Sequence, residues 1–171
     1  MTLQAAVFEE LQGQTLAAIA INDDRDEVLL TTATGTVYQL WHDQSCCERV
    51  DLEDVCGDLA DLIGTPILLA EVVSNDEAPI PTREQGFCDP DGSFLWTFYK
   101  LSTIRGSVTL RWLGHSNGYY SIEVDFARVV ADAPGTPAPW GDEPGPGVYA
   151  STGPVDPALV AAEHAKPEGE S

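Results

Sequence analysis

Positive charge is what this sequence has least of: 8 Lys and Arg stand against 28 Asp and Glu in 171 residues, a formal net charge of −20. A surface of that sign repels phosphate backbones and anionic lipid, so direct nucleic-acid binding and adsorption to a membrane surface are not expected. Long apolar runs are missing too, and none approaches the roughly 20 residues that a membrane-crossing helix needs. Met1-Thr2-Leu3-Gln4 places no basic residue ahead of an apolar stretch, so no secretory signal is expected. Cysteine is sparse, and Cys46, Cys47, Cys56 and Cys88 include no C-x-x-C pair. The expected setting is therefore a reducing cytoplasm, with all four as thiols. Three partner types stay open: a basic protein, a metal ion, or an anionic ligand in a local basic pocket.

What is present suffices for one domain of ordinary size, since 43% of the residues are hydrophobic. Composition changes after Val130. The stretch DAPGTPAPWGDEPGPG breaks every helical or strand period, so residues 1–130 are expected to form a single β-rich domain and 131–171 a disordered, Pro/Gly-rich acidic tail. Within that tail only Pro157 to Lys166 has helical potential, and a helix that short is marginal alone. Removing the tail's seven acidic residues and one basic residue from 28 and 8 leaves 21 and 7, a net of −14. The acidity thus belongs to the domain as well.

The fold class expected is α+β, mainly β: an antiparallel meander sheet of about seven strands with one short acidic helix after the third. Thr15 to Ile21, Glu27 to Thr32 and Thr36 to Trp41 are short apolar runs separated by turn residues, the pattern of three meandering strands. Leu3 to Leu11 offers a short helix with Leu3, Val7, Phe8 and Leu11 on one face. In Val50 to Ile63, Leu52, Val55, Leu59 and Leu62 recur at spacings of 3, 4 and 3, which predicts a helix that stops at Gly64 and Pro66. Gly57 inside it costs about 1 kcal/mol relative to Ala, so the alternative is a turn and a shorter helix from Asp58. Pro66 to Val73 predicts a buried strand, Ser74 to Gly92 a loop, and Phe94 to Ile104 a long aromatic strand.

Ser107 to Trp112 and Tyr119 to Arg128 carry apolar residues at even positions. A two-residue Asn117-Gly118 turn would set even positions opposite odd ones. A three-residue Ser116-Asn117-Gly118 loop, with Gly118 left-handed, keeps the faces matched. That register sets Trp112 opposite Ile122, Leu110 opposite Val124, and Arg111 opposite Glu123 on the wet face.

Five blocks together resemble a family of small, uncharacterised bacteriophage proteins, a domain of unknown function. They are Cys46-Cys47-Glu48 with Glu53-Asp54, Asp61 to Leu68 (DLIGTPIL), Trp96 to Lys100 (WTFYK), Gly106 to Trp112 (GSVTLRW) and Ser116 to Ser121 (SNGYYS). The resemblance covers roughly residues 36–127. Ser45 stands where members usually carry Asp, and Asp51-Leu52 where a Tyr or Ile is usual. The resemblance implies a phage origin and the cytoplasm of an infected bacterium, and it brings no activity, cofactor or site residue.

Three groups of side chains carry chemistry. His42, Asp43, Cys46, Cys47 and Glu48 are the densest set of ligand types, but adjacent cysteines diverge on an extended chain and only His42-x3-Cys46 has usable metal spacing. The expectation is therefore no metal, with His42, Cys46 and Cys47 as the best-placed ligands if one binds. The plain reading of that segment is a strand end with one buried and one half-exposed thiol. A cysteine nucleophile would need His42 or His115 brought to it by folding. The acidic stripe Asp51, Glu53, Asp54, Asp58 and Asp61 offers a mimic of DNA phosphates, or else a solvated helix face; no D-x-D-x-D-G loop for calcium occurs.

Scarce cations carry the last group. Lys100, Arg105, Arg111 and Arg128 are four of the domain's seven, and they lie near Trp96, Tyr99, Trp112, Tyr119 and Tyr120. A site of Arg105, Arg111, Tyr99, Trp112, Tyr119 and Tyr120 has the stacking and charge to hold a nucleotide; the alternative is core aromatics with cross-strand pairs. Tyr119 and Tyr120 in the turn are the expected exposed contact point.

The leading expectation is a non-enzymatic phage accessory protein, without cofactor, that binds a host protein or a small anionic ligand such as a nucleotide. The alternatives are an acidic DNA-mimic inhibitor of a host protein, a small hydrolase using His42, Asp43 and Glu48, and a virion decoration protein.

Overall fold

Alternation along short strands, each too short to bury a face alone, drives the chain into two layers. The computed structural model describes residues 2–76, 92–130 and 149–150. Strands β1 (Thr2–Ala5), β2 (Leu16–Ile21), β3 (Glu27–Thr32) and β4 (Val37–Trp41) lie in one sheet, and β5 (Glu48–Cys56), β6 (Leu69–Asn75), β7 (Ser93–Ser102) and β8 (Ser107–Ser116) in another. The chain then returns to the first sheet as β9 (Asp125–Val130), and β10 (Tyr149–Ala150) pairs with β2. The orders are β1-β9-β4-β3-β2-β10 and β5-β8-β7-β6, antiparallel throughout.

The inner faces share one hydrophobic cluster. Val28 sits opposite Leu40 and Leu30 opposite Tyr38 in the first sheet. Leu52 sits opposite Trp112 and Tyr99 opposite Leu110 in the second. Phe8 ties the layers, its ring edge-on to Tyr99 at 4.8 Å and to Phe126 at 5.3 Å. Edge-to-face rings contribute about 0.5–1.5 kcal/mol beyond burial.

The expected three-strand meander is present as β2–β3–β4. The expected single seven-strand sheet is replaced by the two sheets, and the described residues contain no α-helix. The predicted acidic helix is strand β5 followed by a 3₁₀ turn, Leu59–Leu62. The physical reason is a β-bulge between Leu52 and Asp54. The extra residue returns Val55 to the core side, so spacing 3 replaces spacing 2. The 3₁₀ turn then stacks Leu59 and Leu62, three apart, on one side. Bulge and turn in series imitate a helical period. Gly57 separates them at φ +111°, where a Cβ would lie 2.4 Å from the Ser107 carbonyl oxygen. Only glycine fits there.

Leu3 to Leu11 is likewise β1 plus a 3₁₀ turn, Phe8–Leu11, not a helix. The predicted buried strand Pro66 to Val73 is the edge strand β6, mostly exposed, with Ile67 and Ala70 reaching the core. The bulge has a further use. Arg25, left-handed at φ 59°, accepts from the Leu52 N–H at 2.6 Å and returns its Nε–H to the Leu52 carbonyl at 2.8 Å. The β2–β3 turn thereby covers the open edge of β5.

The predicted β8–β9 hairpin does not form. β8 pairs with β5 and β7, whereas β9 lies between β1 and β4. Trp112 faces Leu52 and Thr97, and Arg111 faces Asp54 and Phe98, in place of Ile122 and Glu123. Gly118 does adopt positive φ, at +91°. Along β8 the even residues Val108, Leu110 and Trp112 do face the core, whereas Tyr120, expected on the same face, is 39% exposed. Parity alone does not select the partner strand. The tail assigned to 131–171 lies outside the described residues except for Tyr149–Ala150.

Candidate functional site

The chain changes sheet twice, and both crossings lie side by side at one end. Residues 42–47 lead from β4 to β5, and 117–124 lead from β8 to β9. Pairing of Trp41 with Asp125, and of Glu48 with Ser116, brings the two crossings together. Asn117 N–H donates to the Cys47 carbonyl at 3.2 Å, and His42 Nδ1–H donates to the Glu123 carbonyl at 2.8 Å. The Ile122 backbone runs over Gly114 so closely that a Cβ there would lie 2.4 Å from its oxygen.

Glu48 shapes the first crossing. Its carboxylate accepts from the backbone N–H of Ser45 and of Cys47, the latter at 3.3 Å. This curl overturns the divergence expected of adjacent cysteines: Cys46 Sγ and Cys47 Sγ lie 3.0 Å apart, and Tyr120 Oη is 3.4 Å from Cys46 Sγ. Both thiols are exposed, in place of one buried and one half-exposed. Hydrogen bonds from Cys47 and then Tyr120 hold the Cys46 thiol below its ordinary pKa. The same bond to Cys46, with some burial, raises Cys47, and the bond to Cys46 also raises Tyr120.

His42 and Glu48 side chains are 7% and 2% exposed, with Nε2 3.8 Å from Oε1. Of the residues named for hydrolysis, these two converge, but each is enclosed and has a structural bond to make, while Asp43 is exposed. Asp125 has its pKa raised, first by desolvation and then by repulsion from Asp43 and Glu123, with His42 opposing. Tyr119, in the second crossing, is 90% exposed, and Tyr120 39%. The end is therefore acidic, aromatic and open.

The six residues considered for nucleotide binding do not converge. Tyr99 and Trp112 face the core, 4% and 0% exposed. The Tyr99 hydroxyl donates to the Val124 carbonyl at 3.2 Å, and burial raises its pKa. Arg111 is on the opposite face, its guanidinium 5.0 Å over the Trp96 ring and 3.2 Å from Asp54. Arg105 lies in the β7–β8 turn, and Tyr119 and Tyr120 lie beyond the other end of β8, about 30 Å along a ten-residue strand. Of the remaining cations, Lys100 is opposite Glu71, and Arg128 donates to Gln4 Oε1 at 2.5 Å.

The acidic stripe is not a helix face. Asp51 pairs with Arg49, and Asp54 with Arg111. Asp58 Oδ1 accepts from Ala60 N–H at 2.9 Å and caps the second 3₁₀ turn, while the Asp61 carbonyl accepts from Thr103 at 2.6 Å. A cleft of about 220 Å³ beside β5 is lined by carboxylates and cations together, among them Asp24, Arg25, Arg49, Asp51, Glu53 and His115. Among the described residues no group of three or more His, Cys, Asp or Glu is placed to hold a metal, and no helix is long and apolar enough to cross a membrane.

Sequence reasoning missed Glu123 and Asp125 as neighbours of Asp43 and His42. No local signal could have found them, because His42 lies 81 residues before Glu123 in the chain. No curated protein and no solved structure matches the chain. One family model does, over a span that holds the cysteine pair, both crossings and all of β2 to β8. The chain belongs to the DUF7448 family, a domain of unknown function, matched over residues 9–126.

Proposed function

We propose that this chain is a non-catalytic bacteriophage accessory protein that acts in the host cytoplasm by binding a positively charged host protein through the end where the chain changes sheet. The observation that carries this reading is an almost fully exposed Tyr119 in the crossing from β8 to β9, a crossing that also carries Glu123 and leads to Asp125. An exposed tyrosine supplies a large contact at low entropic cost. Cationic groups docking on Asp43, Glu123 and Asp125 relieve a repulsion already present in the free protein, and the net charge of −20 speeds their approach. The phage origin rests on the resemblance of the sequence blocks. A basic partner is preferred over an anionic ligand because the residues needed for the latter are divided between two faces and two ends.

The test is affinity capture from a bacterial extract on immobilised full-length chain, followed by calorimetric titration of the captured protein. The reading predicts a basic protein, released by raised salt, whose affinity falls by about 2 kcal/mol or more with Tyr119→Ala and falls again with Asp43→Asn and Glu123→Gln. Equal binding by all these variants overturns it.

A further inference from the structure

The cysteine pair has a chemistry that partner binding does not use. We propose that Cys46 and Cys47 form a thiol–disulfide exchange site, with Cys46 attacking and Cys47 resolving, that takes a disulfide carried on a cationic molecule. Three observations place it. The sulfurs are 3.0 Å apart and both exposed, so closing to an S–S bond of about 2.05 Å needs only about 1 Å of movement. They sit in a crossing free of regular secondary structure, held at the Glu48 carboxylate, so the bridge closes without breaking a strand pairing. Tyr120 Oη lies 3.4 Å from one sulfur, Cys46, in hydrogen-bond contact, which leaves Cys47 distinct from it.

The lowered pKa of Cys46 and the raised pKa of Cys47 follow the same division. The thiolate is the attacking form. In the first step Cys46 Sγ attacks one sulfur of RSSR; a Cys46–SR bond forms, the S–S bond breaks, and RS⁻ leaves. Cys47, giving up its proton to solvent, then attacks Cys46 Sγ and expels the second RS⁻. Two thiols are oxidised, one disulfide is reduced to two thiols, and the electrons balance. Neighbouring residues hold their Cα atoms about 3.8 Å apart, below the ordinary disulfide span, so the bridge is readily reduced by a second pair of thiols, two RSH becoming RSSR as Cys46 and Cys47 regain their protons. The choice of a cationic carrier comes from the surroundings: the Glu48 carboxylate sits at the cysteine segment and repels a thiolate there, on a chain with net charge −20.

The test uses the reduced full chain with Cys56→Ser and Cys88→Ser, treated with cystamine (a cationic disulfide) or glutathione disulfide (an anionic one) and followed by mass spectrometry after alkylation. The expected result is a loss of two hydrogens mapped to Cys46–Cys47. Adding Cys47→Ser traps one disulfide half on Cys46, and Cys46→Ser reacts several-fold more slowly. Tyr120→Phe slows the first step while leaving the fold intact. Cystamine outpaces glutathione disulfide, and high salt narrows the gap. No bridge under either disulfide, equal trapping on both cysteines, or a rate order indifferent to salt overturns the proposal. Because the assay contains no host protein, its outcome is separate from that of partner binding.

Discussion

Two regions of this protein combine aromatics with charge, and the fold treats them in opposite ways. On the outer face of β8, Arg111 lies over the Trp96 ring and pairs with Asp54, and Trp96 is only 2% exposed. That cation and those rings are engaged with one another. At the paired crossings, Asp43, Glu123 and Asp125 crowd together, and Tyr119 projects into solvent. Similar residue types therefore serve stability in one place and remain available in the other. What separates them is whether the strand partner supplies the complementary group.

The contrast breaks first, and most strongly, at Trp112. Trp112→Ala empties a fully buried core position and should lower stability by about 3–5 kcal/mol, read from the denaturant midpoint. Retained stability would mean that Trp112 serves a ligand and not the core. Next in size is Gly114→Ala, whose Cβ meets the Ile122 backbone. It should cost about 1–3 kcal/mol and also weaken partner binding, because it displaces the crossing that carries Tyr119.

Arg111→Ala should cost about 1 kcal/mol, the sum of a cation–π contact and a half-exposed ion pair, with partner affinity unchanged. A loss of affinity would move the binding surface to the outer face of β8. The smallest effect is at Asp125. Its folded pKa is raised, so the ionised carboxylate opposes folding at neutral pH, and that opposition fades as pH falls through the carboxylate range. Asp125→Asn should accordingly raise Tm slightly at pH 7 and leave it unchanged near pH 3; the reverse pH order would deny that burial and repulsion disfavour its charge.

The sequence makes β2, β3 and β4 legible because each is a short apolar run bounded by turn residues. The inward face of β8 is legible because alternation survives whichever strand pairs with it. The acidic segment was misread because a bulge at Leu52–Asp54 and a 3₁₀ turn at Leu59–Leu62 together reproduce helical spacing. The hairpin was misread because parity fixes a face and not a partner, and a chain that crosses between sheets keeps the same inward parity. The same alternation, followed through, separates Trp112 from Arg111 as strand neighbours on opposite faces. The site at the crossings depends on contacts between residues far apart in sequence, such as His42 with Glu123 and Cys46 with Tyr120. No local pattern announces those contacts, although Tyr119 and Tyr120 were legible as an exposed pair.

The most direct measurement is the calorimetric affinity of the captured basic partner for Tyr119→Ala beside Arg111→Ala, each checked for folding by its denaturant midpoint. The account predicts that Tyr119→Ala keeps its stability within about 0.5 kcal/mol and loses binding, whereas Arg111→Ala loses some stability and keeps binding. Binding lost with Arg111→Ala and kept with Tyr119→Ala would contradict it.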